Sequence, residues 1–173
     1  MSYFRPALRQ FAVALVLATA AALPARAELA APAGEPVLTV RGAISVTNSD
    51  GAASFDMDML QAMPSAEFAT STNWTEGVKT FKGVPLKTLL DSLGAKGATV
   101  TATALNNYSV DIPMEAIEDG VPIIAYTIDG ETFSRRDKGP LWIVFPYDSS
   151  TEYQSELVFG WSIWQLTELT VTE

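Results

Sequence analysis

The sequence predicts an α+β domain of many short strands and a few short helices, and three observations carry that prediction. Apolar and β-branched residues recur in runs of roughly four to eight, bounded by Gly, Pro, Asn and Asp. Two of those boundaries, Asn106-Asn107 and Asp129-Gly130, are turn dipeptides that suit tight hairpins. Helical periodicity is confined to two short segments, each closed by a breaker.

In chain order, residues 1–27 read as a secretory signal peptide. Arg5 and Arg9 precede a continuous apolar run over residues 11–23, and Ala25-Arg26-Ala27 is an A-x-A cleavage site. The run is short for a bilayer span, so cleavage and a periplasmic location are expected, with an uncleaved anchor as the alternative. Residues 28–36 are an Ala/Pro/Gly-rich flexible lead-in, and residues 37–173 are the domain. Residues 37–47 alternate and end at the turn Asn48-Ser49-Asp50-Gly51, which predicts one or two strands. Residues 56–63 predict a short helix stopped by Pro64, with Met57, Met59, Leu60 and Met63 in the core. Residues 67–72 predict a strand. Residues 85–93 predict a helix, with Pro85 in its first turn and Gly94 just past its end. Residues 99–105 and 108–112 predict one hairpin, residues 123–128 and 131–133 a second. Residues 141–145, between Pro140 and Pro146, predict a buried strand, and residues 164–172 a closing one.

Composition narrows the chemistry. The 173-residue chain has no cysteine and no histidine. That removes disulfides, thiolates, the usual zinc, copper and haem ligands, Ser-His-Asp and Cys-His pairs, and the ordinary neutral-pH base. Catalysis would have to rest on carboxylates, Lys, Tyr or a bound cofactor. Arg5, Arg9 and Arg26 fall in the leader, so 8 of the 11 basic residues remain against 20 acidic ones, a net charge of −12. Such a surface argues against nucleic acid and anionic membranes. Against that background Arg135, Arg136 and Lys138 gather around Asp137, directly before the apolar run at residue 141. A solvated turn with a weak Arg–Asp pair is one reading. The concentration of positive charge in an acidic chain favours the other, a site for a small, planar, polar or anionic ligand. Glu115, Glu118 and Asp119 read as helix-start caps rather than metal ligands.

The series Phe81-Lys82-Gly83-Val84-Pro85-Leu86, Leu89-Leu90, Asn107-Tyr108, Asp129-Gly130, Gly139-Pro140-Leu141-Trp142 and Trp161 resembles the oxidoreductase molybdopterin-binding domain, the sulfite-oxidase-like fold, over residues 37–172. In the enzymes of that family a cysteine thiolate shortly before the aromatic-x-Gly-x-Pro-Leu motif holds molybdenum. Here Thr70-Ser71-Thr72-Asn73-Trp74-Thr75 occupies the corresponding segment, with Ser71 or Thr72 in the thiolate's place. A neutral hydroxyl is a poor replacement for a soft anionic sulfur. The histidine that often helps to hold the pyranopterin phosphate has no counterpart either. The chain resembles a subgroup of small exported proteins that bind a reduced pterin of the tetrahydropterin type without molybdenum. Members of that subgroup regulate a membrane-bound diguanylate cyclase–phosphodiesterase through its periplasmic sensory region. The resemblance thus implies a non-catalytic pterin-binding regulator without a bound metal. A molybdopterin-dependent oxidoreductase is the alternative, and a carrier or chaperone using the same cleft a third.

The chemistry of a pterin indicates which residues would bind it. Its 2-amino group and N3 form a donor–donor edge that a carboxylate matches, and Asp137 is the candidate. Arg136 suits the ring carbonyl and can stack on the ring, while Lys138 suits a polar tail or a carbonyl. Trp74, Tyr108 and Trp161 offer stacking faces, each worth about 1 kcal/mol beyond buried area, with core packing as the alternative. Trp142 and Trp164, inside strand patterns, read as core. Asn106 and Asn107 suit a turn; Asn107 stays in the candidate set beside Tyr108.

Overall fold

The computed structural model describes Met1 and residues 29–173; apart from Met1, the expected leader lies outside the described residues. The described chain forms β1 (Leu38–Gly42), β2 (Ala53–Phe55), α1 (Met57–Ala62), β3 (Ala66–Ser71), β4 (Val78–Pro85), α2 (Leu86–Ser92), β5 (Thr99–Ala104) and β6 (Ser109–Pro113). There follow β7 (Ile123–Ile128), β8 (Glu131–Thr132), β9 (Trp142–Val144), α3 (Glu156–Trp161) and β10 (Leu166–Thr172). This is the expected mixture of short strands and a few short helices.

Alternation builds the first sheet, ordered β2-β1-β10-β5-β6. In β5 the inward residues Val100, Ala102 and Ala104 are buried and their neighbours half-buried, the period-two pattern of a strand with one face on the core. The expected hairpin joins β5 to β6 through a turn in which Asn107 takes φ 65°, a region Asn enters more readily than most residues. β1 pairs parallel with β10, matching Thr39 to Glu168 and Gly42 to Val171, while the other pairings in this sheet are antiparallel. The strand expected over residues 37–47 is shorter, ending at Gly42. The closing strand begins at Leu166 rather than residue 164, because Gln165 takes φ 53° and breaks the extension.

The second sheet runs β3-β4-β7-β8, with β9 also paired to β7. Its second hairpin turns at Asp129-Gly130, both at positive φ. Gly83 lies where β4 shifts register against β7. A Cβ there would sit 2.0 Å from the Ile124 carbonyl oxygen, so only glycine allows the two strands this approach. Gly139 is constrained in the same way, 1.9 Å from the Phe133 carbonyl oxygen.

The helices follow simple rules. Asp56 caps α1, its Oδ1 accepting from Met59 N at 2.9 Å. Its Oδ2 accepts from Gly34 N at 2.8 Å, and Asn48 Nδ2 donates to the Ala30 carbonyl at 2.8 Å, so residues 30 and 34 of the expected lead-in are tied to the domain. Those backbone donors hold the Asp56 carboxyl below the usual carboxylate range. In α2, Leu86, Leu89 and Leu90 are buried at i, i+3 and i+4, a stripe worth about 1.5–3 kcal/mol per leucine in transfer terms.

The sheets are stitched at one seam. Trp142 of β9 bridges to Trp164, Ile143 N donates to the Ile163 carbonyl (2.9 Å), Leu166 N to that of Leu141 (3.0 Å), and Gln165 N to that of Lys138 (3.1 Å).

Candidate functional site

The turn between β3 and β4 presents Trp74, whose backbone N–H donates to Thr72 Oγ1 at 3.1 Å. Around its indole stand Trp142, Trp164, Phe159 and Tyr147, with ring centroids 5.8, 5.7, 6.0 and 6.3 Å away, all edge-on. Trp142 is buried beneath, edge-on to Phe81 at 5.5 Å. A cleft of about 360 Å³ opens above this floor, walled by Trp74, Phe159 and Trp164. Its polar lining comes from Asn106 and Tyr108 of the β5–β6 turn, Ser162 at the end of α3, and Gln165 at the seam. Among the described residues no Lys, Arg, Asp or Glu lines it. An aromatic slot edged by a few neutral polar groups suits a flat, uncharged heterocycle.

A second, polar cleft of about 390 Å³ lies on the other side of Phe159, lined by Ser71, Thr72, Asn73, Tyr147, Asp148 and Gln154. Here the Asp148 carboxylate accepts from Ser71 N at 2.6 Å and from Ser71 Oγ at 2.7 Å. These two donations, with a smaller one from Thr70, hold its carboxyl below the usual carboxylate range. Thr72 Oγ1 is paired with Thr75 Oγ1 at 2.8 Å. The two hydroxyls in the thiolate's place, those of Ser71 and Thr72, are therefore engaged within the chain. Among the described residues no group of three His, Cys, Asp or Glu is placed to hold a metal ion.

Of the residues singled out from sequence, Trp74 and Tyr108 meet in the aromatic cleft, Tyr108 being 58% exposed at its rim. Asn107 is exposed at the turn, and its neighbour Asn106 reaches the lining instead. Arg136 and Asp137 are exposed in a single 3-10 turn, Arg135–Asp137, outside the lining. Asp137 Oδ2 accepts from Ser134 Oγ at 2.8 Å, a local contact that turns the carboxylate back on its own loop. The Lys138 ammonium lies 6.0 Å from the Trp142 ring centroid, at cation–π distance, and so touches the aromatic cluster without lining the cleft. Trp161 packs against Phe145, centroids 6.2 Å apart, and is absent from the lining.

Sequence reasoning missed Phe159, Ser162 and Gln165 and assigned Trp164 to the core. Trp164 is 38% exposed, because the positive φ of Gln165 ends the strand before it. The signal for α3 was the N-cap Ser155, whose Oγ accepts from Val158 N at 3.3 Å.

A family model described as oxidoreductase molybdopterin binding domain matches residues 38–152. No curated protein matches the chain. Among solved structures it is similar to the sulfane dehydrogenase SoxCD from Paracoccus pantotrophus, with 19% sequence identity and a TM-score of 0.58. The match covers 78% of this chain but only 37% of that one, so it spans well under two thirds of the SoxCD chain and shows a shared fold. With its matched span covering more than half of the sequence, the chain belongs to the oxidoreductase molybdopterin-binding domain family.

Proposed function

We propose that this protein is a periplasmic, non-catalytic pterin-binding module. In this reading it regulates a membrane-bound cyclic-di-GMP-metabolising sensor enzyme through that enzyme's periplasmic region. The observation that carries the reading is the aromatic cleft without a charged lining, in a family whose domain binds molybdopterin, itself a pterin. Its ligand would be a reduced pterin of the tetrahydropterin type, stacked against Trp74 and Tyr108 with Phe159 and Trp164 closing the walls.

The molybdenum cofactor does not fit the donor set. Where the family's enzymes offer a thiolate, Ser71 offers a neutral hydroxyl already donated to an ionised carboxylate. Molybdenum selects soft, anionic sulfur over such a group, and the Asp148 charge disfavours a phosphate nearby. What the chain's own residues do is bind, orient and exclude water. The partner assignment comes from the family resemblance, and the exposed Leu105, Tyr108 and Trp164 near the cleft support a protein docking there.

Protein purified from the periplasm is expected to release a pterin detectable by mass spectrometry and to carry no stoichiometric molybdenum by elemental analysis. Near one molybdenum per chain would overturn the reading in favour of an oxidoreductase. In calorimetry with a tetrahydropterin, Trp74→Ala is expected to weaken binding by about tenfold or more, equivalent to about 1.4 kcal/mol. Asp137→Asn, whose carboxylate faces Ser134, is expected to change it by less than about threefold. A tenfold loss in Asp137→Asn would return the charged loop to the site.

A further inference from the structure

Two buried hydroxyls stand in the wall between the clefts. Ser162, 3% exposed, lines the aromatic cleft, Tyr147, 2% exposed, lines the polar one, and the two are hydrogen-bonded to each other. Ser162 Oγ also donates to the Val158 carbonyl at 3.0 Å, one turn back in α3. A serine hydroxyl has a single proton. With that proton on Val158, the bond to Tyr147 is a donation by the phenol. Burial pushes the Tyr147 hydroxyl up to about 12, so it keeps its proton across the physiological range. The chain from Tyr147 to Ser162 to Val158 therefore has a fixed direction, each bond strengthening the next. Ser162 is itself held in place, its carbonyl accepting from Trp142 Nε1 at 3.3 Å. What its hydroxyl has left for the cleft is a lone pair.

We infer that Ser162 is a specificity-determining residue of the aromatic cleft, an acceptor-only group that selects a ligand presenting a ring N–H over one presenting a bare ring nitrogen. The Val158 carbonyl, which takes the serine proton, sets this polarity, and Tyr147 is the positioning residue that holds the hydroxyl from the neighbouring cleft. The inference rests on the pterin reading and deepens it. A tetrahydropterin carries N–H at both nitrogens of its reduced ring, whereas the fully oxidised pterin has lone pairs there. The skeletons are alike and the hydrogen-bonding polarity is opposite. Trp74 and Phe159 stack on either form. Asn106 does not discriminate, because it is exposed to water and its amide, whose Oδ1 accepts from Tyr108 N at 3.0 Å, keeps both donor and acceptor capacity. Against the oxidised ring the serine lone pair faces another lone pair, and the ring nitrogen is buried without a donor, which is the penalty in such sites. The cleft thus reads the reduction state of its ligand without performing any redox step.

The test is anaerobic calorimetry with 6-methyltetrahydropterin and 6-methylpterin as probes. The unaltered protein is expected to prefer the reduced probe by about tenfold or more. Ser162→Ala is expected to lower that preference about tenfold, and Ser162→Ala/Tyr147→Phe to do the same without leaving a buried phenol unpaired. Tyr147→Phe alone leaves the serine proton on the Val158 carbonyl and gives the hydroxyl a second free lone pair, so the preference for the reduced probe is expected to hold within about threefold. A purely structural role for the pair would move both affinities together, and thermal midpoints of the ligand-free variants register it separately. If neither probe binds the unaltered protein, the pterin reading fails and this inference with it. If both bind and the ratio is near one, or is unchanged in the double variant, the role of Ser162 is overturned and the pterin reading stands.

Discussion

Trp142→Ala is expected to lower the free energy of unfolding by about 3–5 kcal/mol, the range for truncating a large buried aromatic. The indole is 1% exposed and sits edge-on to Trp74, Phe81 and Trp164. Its Nε1 donates to the Ser162 carbonyl, and its backbone pairs with Ala125 of β7 while bridging to Trp164. One side chain thus supports the cleft floor, the end of α3 and the seam between the sheets. A domain of this size holds about 5–15 kcal/mol in total, so the variant would be left marginal. Urea unfolding monitored by circular dichroism reads the loss, and pterin titration of the folded fraction reads the damage to the cleft. A loss under about 1 kcal/mol would mean that the surrounding rings close the cavity, against the packing described above.

Gly83→Ala is expected to cost about 3 kcal/mol or more, at or above the upper end of ordinary overpacking. The added carbon would meet the Ile124 carbonyl oxygen at 2.0 Å and the Ala125 Cα at 2.6 Å, and backbone cannot yield as the end of a flexible side chain does. Relief requires β4 and β7 to separate in the middle of the second sheet. Gly130→Ala is the internal comparison. Nothing lies within 4 Å of its Cβ, so only its φ of 84° opposes the change, and the expected loss is about 1–2 kcal/mol. Thermal midpoints ranked with Gly130→Ala below Gly83→Ala would contradict the steric account.

Much of the fold could be read from local chemistry. Asn106-Asn107 and Asp129-Gly130 make their hairpins because positive φ is least unfavourable there, and Asp56 caps α1 with a carboxylate that the sequence places at residue 56. β4 was hidden by Lys79, Thr80, Lys82 and Gly83, and its bulge between Lys82 and Gly83 breaks the alternation by which a strand is recognised. α3 was hidden by its six residues and by Gly160, a weak helix former. The site was half legible. Trp74 and Tyr108 stood out as aromatics beside polar turns, and both face the cleft. Charge pattern located the loop at residues 135–138 but could not show where it points, since the Asp137 carboxylate turns to a local contact with the Ser134 hydroxyl. Ser162 carries no sequence signal at all; its meaning depends on the Val158 carbonyl that takes its proton and on a phenol 15 residues away along the chain.

The parallel pairing of β1 with β10 has a consequence for the order in which the molecule becomes itself. β10 is the central strand of its sheet, with β1 on one side and β5 on the other. Until residues 166–172 are in place, β1–β2 and β5–β6 are two separate ribbons, and Val40, Phe55, Val100 and Ala102 lack the strand that unites them. Joining them demands closure of a loop that spans most of the domain, the slow, non-local kind of step. Residues 162–165, which wall the aromatic cleft, lie directly before that strand. The aromatic cleft therefore takes shape only as β10 docks: a chain without residues 162–172 lacks one of its walls.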